Sequence, residues 1–201
     1  MNILFTSEEV IEICDDGSLH SKNLNQHYMK YSKWGNLICV GYSKRVHESS
    51  LPILEDKIQC VLTTKENTLK NLITIKRENH AIVNEAIDNN CISFLVCHVP
   101  SNNSYHAISA AKKKGIPYIC VVVGCSWDAM WNYDLRGKIL AFPAFLQLKK
   151  VVSNSPYSIY VTKYFLERRY PCSGKYTYAS NVQLPLSNPN ILKQRVEKIK
   201  N

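Results

Sequence analysis

Several familiar signatures are missing from this chain of 201 residues. No apolar run approaches the roughly 18 residues that a membrane-spanning helix requires. The cysteines form no Cys-x-x-Cys pair, so a structural zinc site is not indicated. The GxxxxGK(S/T) and GxSxG motifs are absent, which argues against P-loop chemistry and against a serine nucleophile elbow. No GxGxxG follows the first predicted strand, so a dinucleotide site of the dehydrogenase kind is not indicated either.

Disulfide bonds are not expected, although the chain has 8 cysteines. Cys39, Cys60, Cys97 and Cys120 lie inside apolar, strand-like runs, where a reduced cysteine behaves as a small buried hydrophobic side chain. The N-terminus opens with a strand-like segment and then acidic residues, which is not the pattern of a signal peptide. These features predict a cytoplasmic protein with no metal ion and no cofactor.

Positive charge is in excess, because 25 lysines and arginines stand against 16 aspartates and glutamates and give a formal net charge of +9. Lysines cluster at residues 112–114, 149–150 and 193–200. Such a surface favours anionic partners, and nucleic acid and anionic membrane lipid both have the required charge. The alternative is that these lysines only occupy solvated helix ends. No dense basic stripe with interleaved aromatic residues is present, so nucleic acid is disfavoured, and peripheral contact with the inner membrane face is a further expectation.

Apolar, strand-like segments alternate with helical segments along the chain. Strands are predicted at residues 2–5, 36–42, 57–63, 91–99, 117–123, 158–161 and 175–179. Helices are predicted at residues 23–32, 68–90, 101–114, 136–152, 162–169 and 189–199. Apolar strands separated by helices predict an α/β fold with a Rossmann-like, doubly wound and mostly parallel sheet. Residues 1–187 would form this domain, and residues 188–201 a basic C-terminal helix or linker.

The most informative segment is VVVGCSWDAMW, at residues 121–131. A buried-type strand ends at Gly124, and a loop that carries Trp127, Asp128 and Trp131 is predicted to follow. Loops at the carboxyl ends of strands build the ligand site in α/β domains. An acid beside broad aromatic faces suits a sugar ring, whose faces stack while its hydroxyls form hydrogen bonds. The alternative is that both tryptophans belong to the core and that Asp128 is a helix N-cap.

Polar residues after the other strands are predicted to contribute to the same site. The first and fourth predicted strands flank the switch point of a doubly wound sheet, which would place Ser7, Ser101 and Asn102 along one crevice. Asp128 is the first candidate for a general base. Glu8 is the second candidate, although it also fits the first turn of a helix.

Two further residues at strand ends complete the candidates. Asn181 follows the last predicted strand and would face the ligand from that side. His98 ends the fourth strand, where it either touches ligand or forms a local hydrogen bond, and the local bond is the more common role. The six histidines are scattered, and no pair has the spacing of a metal site on a helix face.

Several segments, taken together, resemble a known family. They are PYICVVVGCSWDAMW, YSIYVTKYFLERRYP and ASNVQL, with Pro100-Ser101 after a strand, a lysine-ended helix before Gly115-Ile116-Pro117-Tyr118, and the early DDGSLHSKN. In combination they resemble the N-terminal half of group 1 (family 4) glycosyltransferases of the GT-B fold, of the kind that act in capsular and other surface polysaccharide assembly. The resemblance covers nearly the whole chain.

The resemblance implies an acceptor-binding domain, because GT-B enzymes have two Rossmann-like domains and the second supplies most contacts to the nucleotide-sugar donor. The residues after position 187 are too few for that second domain. The implied protein is a hexosyltransferase-type enzyme of which this chain alone is inactive. Its implied partners are a nucleotide sugar, a saccharide or lipid-linked saccharide acceptor, and a C-terminal donor-binding domain. In this setting Gly124, Trp127 and Trp131 would contact the acceptor sugar.

The chain departs from the family pattern at two places. Many members have a Gly-Gly pair after the first strand and a histidine after the fifth, whereas this chain lacks the pair and has Ser126-Trp127-Asp128 at the second place. The catalytic role of Asp128 is therefore assigned by position. Two other functions fit the same fold prediction: a non-catalytic Rossmann-like module for an anionic partner, and a sugar-nucleotide epimerase-type relative with the GT-B fold.

Overall fold

The computed structural model describes residues 1–66, 72–180 and 189–200. Its strands are β1 (Asn2–Ile13), β2 (Leu19–His20), β3 (Asn36–Arg45), β4 (Gln59–Thr63), β5 (Phe94–Val99), β6 (Tyr118–Val122), β7 (Tyr157–Tyr160) and β8 (Lys175–Tyr178). Its helices are α1 (Leu24–Tyr31), α2 (Leu72–Asn89), α3 (Asn102–Lys114), α4 (Ser126–Trp131), α5 (Leu135–Ser153), α6 (Phe165–Arg169) and α7 (Pro189–Lys200). The helices predicted from the sequence are present, and α4 is an addition to them.

The described strands form one sheet in the order β4-β3-β1-β5-β6-β7-β8. The strands along this path pair in parallel, and β2 pairs antiparallel with β1. The chain adds strands on one side of β1 and then crosses to β5 on the other side, so the switch point lies between β1 and β5. This order confirms the predicted α/β fold with a doubly wound, mostly parallel sheet.

The first strand is much longer than the predicted segment 2–5, so the prediction that Ser7 and Glu8 follow the strand is wrong: both lie within β1. β1 stays paired with β3 through residue Ile13, and its register shifts between Thr6 and Val10. Ser7 and Glu8 lie in this irregular segment, here called the β1 bulge (residues 7–9). Four consecutive polar residues, at positions 6–9, interrupt the apolar pattern, and they resemble the start of a helix more than the middle of a strand.

A glycine in the neighbouring strand makes room for the β1 bulge. A Cβ atom on Gly41 would lie 2.8 Å from Cδ1 of Ile11 and 3.1 Å from the carbonyl oxygen of Glu9. The first distance is shorter than real Cβ contacts and the second is tighter than most of them, so β1 lies directly against bare backbone of β3 at this point.

Apolar side chains pack on both faces of the sheet. One cluster joins the sheet to α2, α3 and α5 and includes Cys97, Ala107 and Leu148. The other joins the opposite face to α1 and includes Phe5 and Leu24. All eight cysteines are free, and those predicted inside strands lie in or against these clusters.

The predicted aromatic loop is largely a helix. Residues 126–131 form α4, so the prediction of a loop is wrong for this segment. Asp128 lies in the first turn of α4, and Cys125 occupies the N-cap, which also excludes the N-cap role considered for Asp128. Asp134 caps α5 instead, because its side chain accepts a hydrogen bond from the Gly137 N–H at 2.5 Å. Within the described ranges, no helix has both the length and the apolar character needed to cross a bilayer.

Candidate functional site

Two cavities lie side by side at the carboxyl edge of the sheet, where doubly wound domains bind ligands. The α1 cavity, of about 370 Å³, is bounded by the β1 bulge, α1 and the end of β5. The α3 cavity, of about 360 Å³, is bounded by the end of β3, the start of α3, and α4 with α5. Glu8 and Pro100 belong to the walls of both cavities. Glu8 therefore stands between the two.

Glu8 caps the N-terminus of α3 and also faces the cavities. Its Oε1 accepts hydrogen bonds from the Asn102 N–H at 3.0 Å and from the Tyr42 hydroxyl at 3.4 Å. The residue is exposed as a whole, but protein atoms crowd its carboxylate, and this loss of hydration raises the pKa of the carboxyl. The hydrogen bonds from Asn102 and Ser101 and the charge of Lys65 oppose that rise. Glu8 thus holds a proton more readily than an ordinary surface glutamate.

Polar contacts tie the first turn of α3 to β1. Ser101 is the N-cap of α3, and its side chain accepts from the Ser104 N–H at 3.4 Å. The hydroxyls of Ser104 and Thr6 lie 2.8 Å apart, and Nδ2 of Asn103 donates to the carbonyl oxygen of Ser7 at 3.3 Å. These residues are buried. The start of α3 and the β1 bulge therefore form one rigid polar frame.

The α1 cavity contains a second carboxylate, Glu9, with a defined set of donors. The Ser21 hydroxyl donates to Oε2 at 3.0 Å, and Nδ2 of Asn23 donates to Oε1 at 2.8 Å. Nε2 of His27 lies 3.9 Å from the same Oε1. Burial lowers the pKa of His27 more than Glu9 raises it, so this imidazole is neutral at pH 7. The cavity wall thus offers a held carboxylate and a neutral imidazole.

His98 forms the floor of the α1 cavity and is buried. Its Nε2 lies 2.9 Å from the Tyr31 hydroxyl, and its ring meets the ring of Phe5 edge-on at 4.8 Å. Burial, with a smaller contribution from nearby His27 and Lys30, lowers the pKa of His98 to about 3. The local hydrogen bond considered for this histidine is therefore present.

The α3 cavity contains a third carboxylate, Glu66, whose side chain is buried. Its Oε1 lies 2.7 Å from Nε2 of His106 and accepts from Nδ2 of Asn79 at 3.1 Å. Its Oε2 has no hydrogen-bond partner among the described residues. Burial, Glu8 and Glu66 together raise the pKa of Tyr42, which keeps this phenol protonated in the cavity. The cavity therefore combines a phenolic donor with two carboxylates.

The predicted catalytic Asp128 lies away from both cavities. Its Oδ1 is 3.5 Å from a guanidinium nitrogen of Arg169, and the residue is not part of either cavity wall. The rings of Trp127 and Trp131 stack on each other at 5.4 Å, with an interplanar angle of 13°. Gly124 is also outside both walls. Other residues of the same segment do reach the cavities: Ser126, Ala129 and Met130 line the α3 cavity, and Val123 lines the α1 cavity.

The predicted site residues thus divide into groups. Ser7, Glu8, Ser101 and Asn102 meet at the two cavities, as expected for the ends of adjacent strands. Asn181 lies outside the described residues. Ligand contacts for all of them remain predictions.

Several residues of the cavity walls were not predicted from the sequence: Glu9, Asn23, Gln26, His27, Tyr42 and Glu66. A signal existed for part of this set, because Asn23, Gln26 and His27 fall at i, i+3 and i+4 of a predicted helix and so share one polar face. Glu66 follows a strand but had no such pattern. Among the described residues, no group of three or more histidine, cysteine, aspartate or glutamate side chains is arranged to hold a metal ion.

Comparison with known sequences shows a partial relative. No family model matches the chain. Protein CapJ of Staphylococcus aureus is 41% identical over 91 residues, which is 44% of this chain and 23% of CapJ. The chain therefore matches less than a quarter of the length of this relative.

Comparison with solved structures shows the fold. A sucrose-phosphate synthase structure from Thermosynechococcus elongatus superposes with a TM-score of 0.56 at 6% identity, over 100% of this chain and 98% of that one. A UDP-N-acetylglucosamine 2-epimerase from Rickettsia bellii superposes with a TM-score of 0.51 at 14% identity, over 100% of this chain and 49% of the epimerase. The chain thus spans about half of the epimerase. It has the α/β architecture of one Rossmann-like half of a GT-B fold.

Proposed function

We propose that this chain is the acceptor-binding half of a GT-B glycosyltransferase of surface polysaccharide assembly. The enzyme would transfer a sugar from a nucleotide-sugar donor to a saccharide or lipid-linked saccharide acceptor. The observation that carries the proposal is the position of Glu8, which stands between two polar cavities at the ligand-binding edge of the sheet. The partial identity to CapJ and the family resemblance of the sequence support it.

The cavity walls have the chemistry that a sugar requires. Neutral polar side chains such as Asn23, Gln26 and Tyr42 can exchange hydrogen bonds with ring hydroxyls. Glu8 is the group best placed to accept a hydrogen bond from the acceptor hydroxyl and then its proton. Its raised pKa brings its basicity closer to neutral pH, which favours a general base. The neutral imidazole of His27, in the same cavity, is a second acceptor.

The donor would bind to a second domain across these cavities. A carboxyl edge that is open to solvent on one side suits an interdomain cleft, because closure over the acceptor would exclude water from the transfer step. The nucleotide sugar is therefore expected to bind weakly to this chain alone. Turnover would require the donor-binding half.

Ligand-observed NMR on the purified chain tests the proposal. Saturation transfer is measured from the protein to a panel of hexoses, hexosamines and short oligosaccharides, and separately to UDP and UDP-sugars. The variants are Glu8→Ala, Asp128→Ala and, as a matched control, Glu85→Ala, an exposed glutamate on α2. The wild-type chain should bind a saccharide, and Glu8→Ala should weaken that binding about tenfold, the usual cost of a hydrogen bond to a charged group. Glu85→Ala should bind as the wild type does.

The outcomes separate the candidate residues and functions. If Asp128→Ala weakens saccharide binding and Glu8→Ala does not, the acceptor lies at the aromatic segment and not at the cavities. If no saccharide binds, the acceptor role is wrong. If the chain alone transfers sugar from a UDP-sugar or interconverts UDP-sugar epimers, it is not half of an enzyme.

A further inference from the structure

Helix α5 is apolar on two opposite faces. Its inner face is buried and includes Gly137, Ala141, Leu148 and Val152. Its outer face carries another apolar stripe at i, i+4, i+7 and i+11. These outer residues are exposed: Leu135 by 80%, Ile139 by 77%, Phe142 by 56% and Leu146 by 46%. A helix that is apolar on both sides normally has both sides covered, so the outer face lacks a partner.

Aromatic residues extend this outer face at the start of α5. Trp131 and Tyr133 are exposed beside Leu135 in the sequence, and Met130 adds a flexible apolar side chain. We call these residues and the stripe of Leu135, Ile139, Phe142 and Leu146 the α5 surface. Exposed tryptophan and tyrosine rings next to long aliphatic side chains are typical of surfaces that enter the boundary between lipid headgroups and acyl chains.

The charges of α5 all have one sign. Arg136, Lys138, Lys149 and Lys150 are exposed, and no acidic residue occurs between Leu135 and Ser153. Nζ of Lys138 lies 5.8 Å from the ring centre of Trp131, so this cation sits directly beside the apolar stripe. Cations beside an exposed apolar stripe match anionic headgroups above an apolar layer.

A shallow depression continues the α5 surface toward α6. Its volume is about 440 Å³, and its lining combines Trp127, Phe142 and Phe145 with Lys149, Arg168 and Arg169. Aromatic residues and guanidinium groups in one recess suit a phosphate group attached to an apolar chain.

The acids near this region already have partners, and Asp134, at the start of α5, accepts from the Gly137 N–H. Asp128 pairs with Arg169 at 3.5 Å. Glu167 accepts hydrogen bonds from the hydroxyls of Tyr176 and Tyr178. The field of this region is therefore positive.

We propose that the α5 surface docks the protein on an anionic lipid bilayer. The outer stripe of α5 enters the headgroup boundary, while Lys149, Arg168 and Arg169 contact lipid phosphates. Charge argues against a second copy of this chain as the occupant. A symmetric pair would place the four cations of one α5 against those of the other.

Vesicle co-sedimentation of the full chain tests the proposal, with vesicles of phosphatidylcholine alone and of phosphatidylcholine mixed with phosphatidylglycerol. The apolar variant is Ile139→Glu with Phe142→Glu, and its control is Met29→Glu with Ile53→Glu, two exposed apolar residues elsewhere. The charge variant is Lys149→Glu with Lys150→Glu, and its control is Lys112→Glu with Lys113→Glu on α3. Both controls make the same change in net charge as their partners.

The wild-type chain should bind the phosphatidylglycerol vesicles, and added salt should weaken binding. Each α5 variant should bind at least about tenfold more weakly, and each control should stay within about twofold of the wild type. Circular dichroism verifies that all variants fold.

Three results would overturn the docking surface. They are no binding to anionic vesicles, an equal loss in the controls, and a wild-type dimer in gel filtration that Ile139→Glu with Phe142→Glu converts to monomer. The last result would assign the surface to a second copy. Vesicle binding requires no saccharide, so failure here and failure of the acceptor role are distinguished by separate measurements.

Discussion

Folded chains ordinarily bury apolar side chains and expose polar ones. The carboxyl edge of the sheet and the outer face of α5 both depart from this arrangement, in opposite directions. At the edge, His98 and the side chain of Glu66 are buried although both are polar. On α5, Leu135 and Ile139 are exposed although both are apolar. Buried polar groups and large exposed apolar groups are the informative exceptions in a folded chain, because folding alone does not favour either.

The two regions differ in how the buried polar groups and the exposed apolar groups are stabilised. At the edge, hydrogen bonds compensate for burial: Glu9 has two side-chain donors, and Asn79 bonds the backbone at Thr64 as well as Glu66. On α5 no contact within the described chain compensates for the exposed stripe. Apart from Oε2 of Glu66, the described polar groups named here at the edge are thus hydrogen-bonded before ligand arrives, whereas the α5 surface is incomplete without an external partner.

The largest expected effect distinguishes the two faces of α5. Leu148→Ala should reduce the free energy of unfolding by about 2–5 kcal/mol, because Leu148 is fully buried and its removal leaves a cavity. Leu146→Ala, two residues earlier on the exposed face, should change it by no more than about 0.5 kcal/mol. Urea unfolding followed by circular dichroism measures both values.

An equal loss of unfolding free energy in Leu148→Ala and Leu146→Ala would contradict the assignment of Leu146 to an exposed face. That result would mean that Leu146 is covered in solution, for example by another copy. Repeating the measurement at several protein concentrations identifies this case, because stabilisation by self-association depends on concentration.

A smaller effect concerns pH and the buried edge. His98 has a pKa of about 3 in the folded chain, against an ordinary value of 6.5. Below pH 6.5 the unfolded chain binds a proton that folded His98 does not yet bind, so the protein should lose stability as pH falls toward 3. The contribution of this residue should be about 1 kcal/mol between pH 7 and pH 5.5. Urea unfolding of the wild type and of His98→Gln, which lacks the titration, measures the difference in slope.

Other histidines act in the same direction, so a control is needed. Burial also lowers the pKa of His27 and His80. Their contribution remains in His98→Gln and cancels in the comparison of slopes. If the two proteins lose stability equally as pH falls, His98 has its ordinary pKa in the folded chain. Its contact with Tyr31 then does not exclude water.

The sheet and its order were predictable because apolar strands and helices alternate clearly along the chain. The length of β1 was not, because residues Thr6 to Glu9 are polar and the alternation resumes only at Val10 and Ile11. Register in such a segment is set by pairing with β3 and by the space at Gly41, and both are tertiary contacts that the local sequence does not reveal.

The faces of α5 show a second limit of sequence patterns. The segment was predicted as a helix, but leucines recur on both sides of it, and periodicity alone does not say which stripe meets the core. The aromatic segment shows a third limit. Asp128 was favoured because of its aromatic neighbours, yet the short helix at residues 126–131 directs its side chain toward Arg169. Glu8 lies at the cavities because the β1 bulge places it there.

The smallest expected effect on stability belongs to Glu8, the residue that the acceptor proposal most depends on. Loss of hydration raises the pKa of Glu8 above 4.5 in the folded chain. Its contribution to stability is therefore fully present below that pH and is lost as pH rises through the folded pKa. Glu8→Gln is uncharged, keeps an oxygen that accepts from the Asn102 N–H, and escapes this loss. At neutral pH its free energy of unfolding should equal or slightly exceed that of the wild type, by no more than about 0.5 kcal/mol, while at pH 4 the two should converge. The acceptor proposal accounts for a residue whose charged form costs stability and which occupies the wall of both cavities. Thermal unfolding at the two pH values decides this: a clear loss of stability in Glu8→Gln at neutral pH would show that the ionised carboxylate is needed to hold α3, and that its position has a structural explanation.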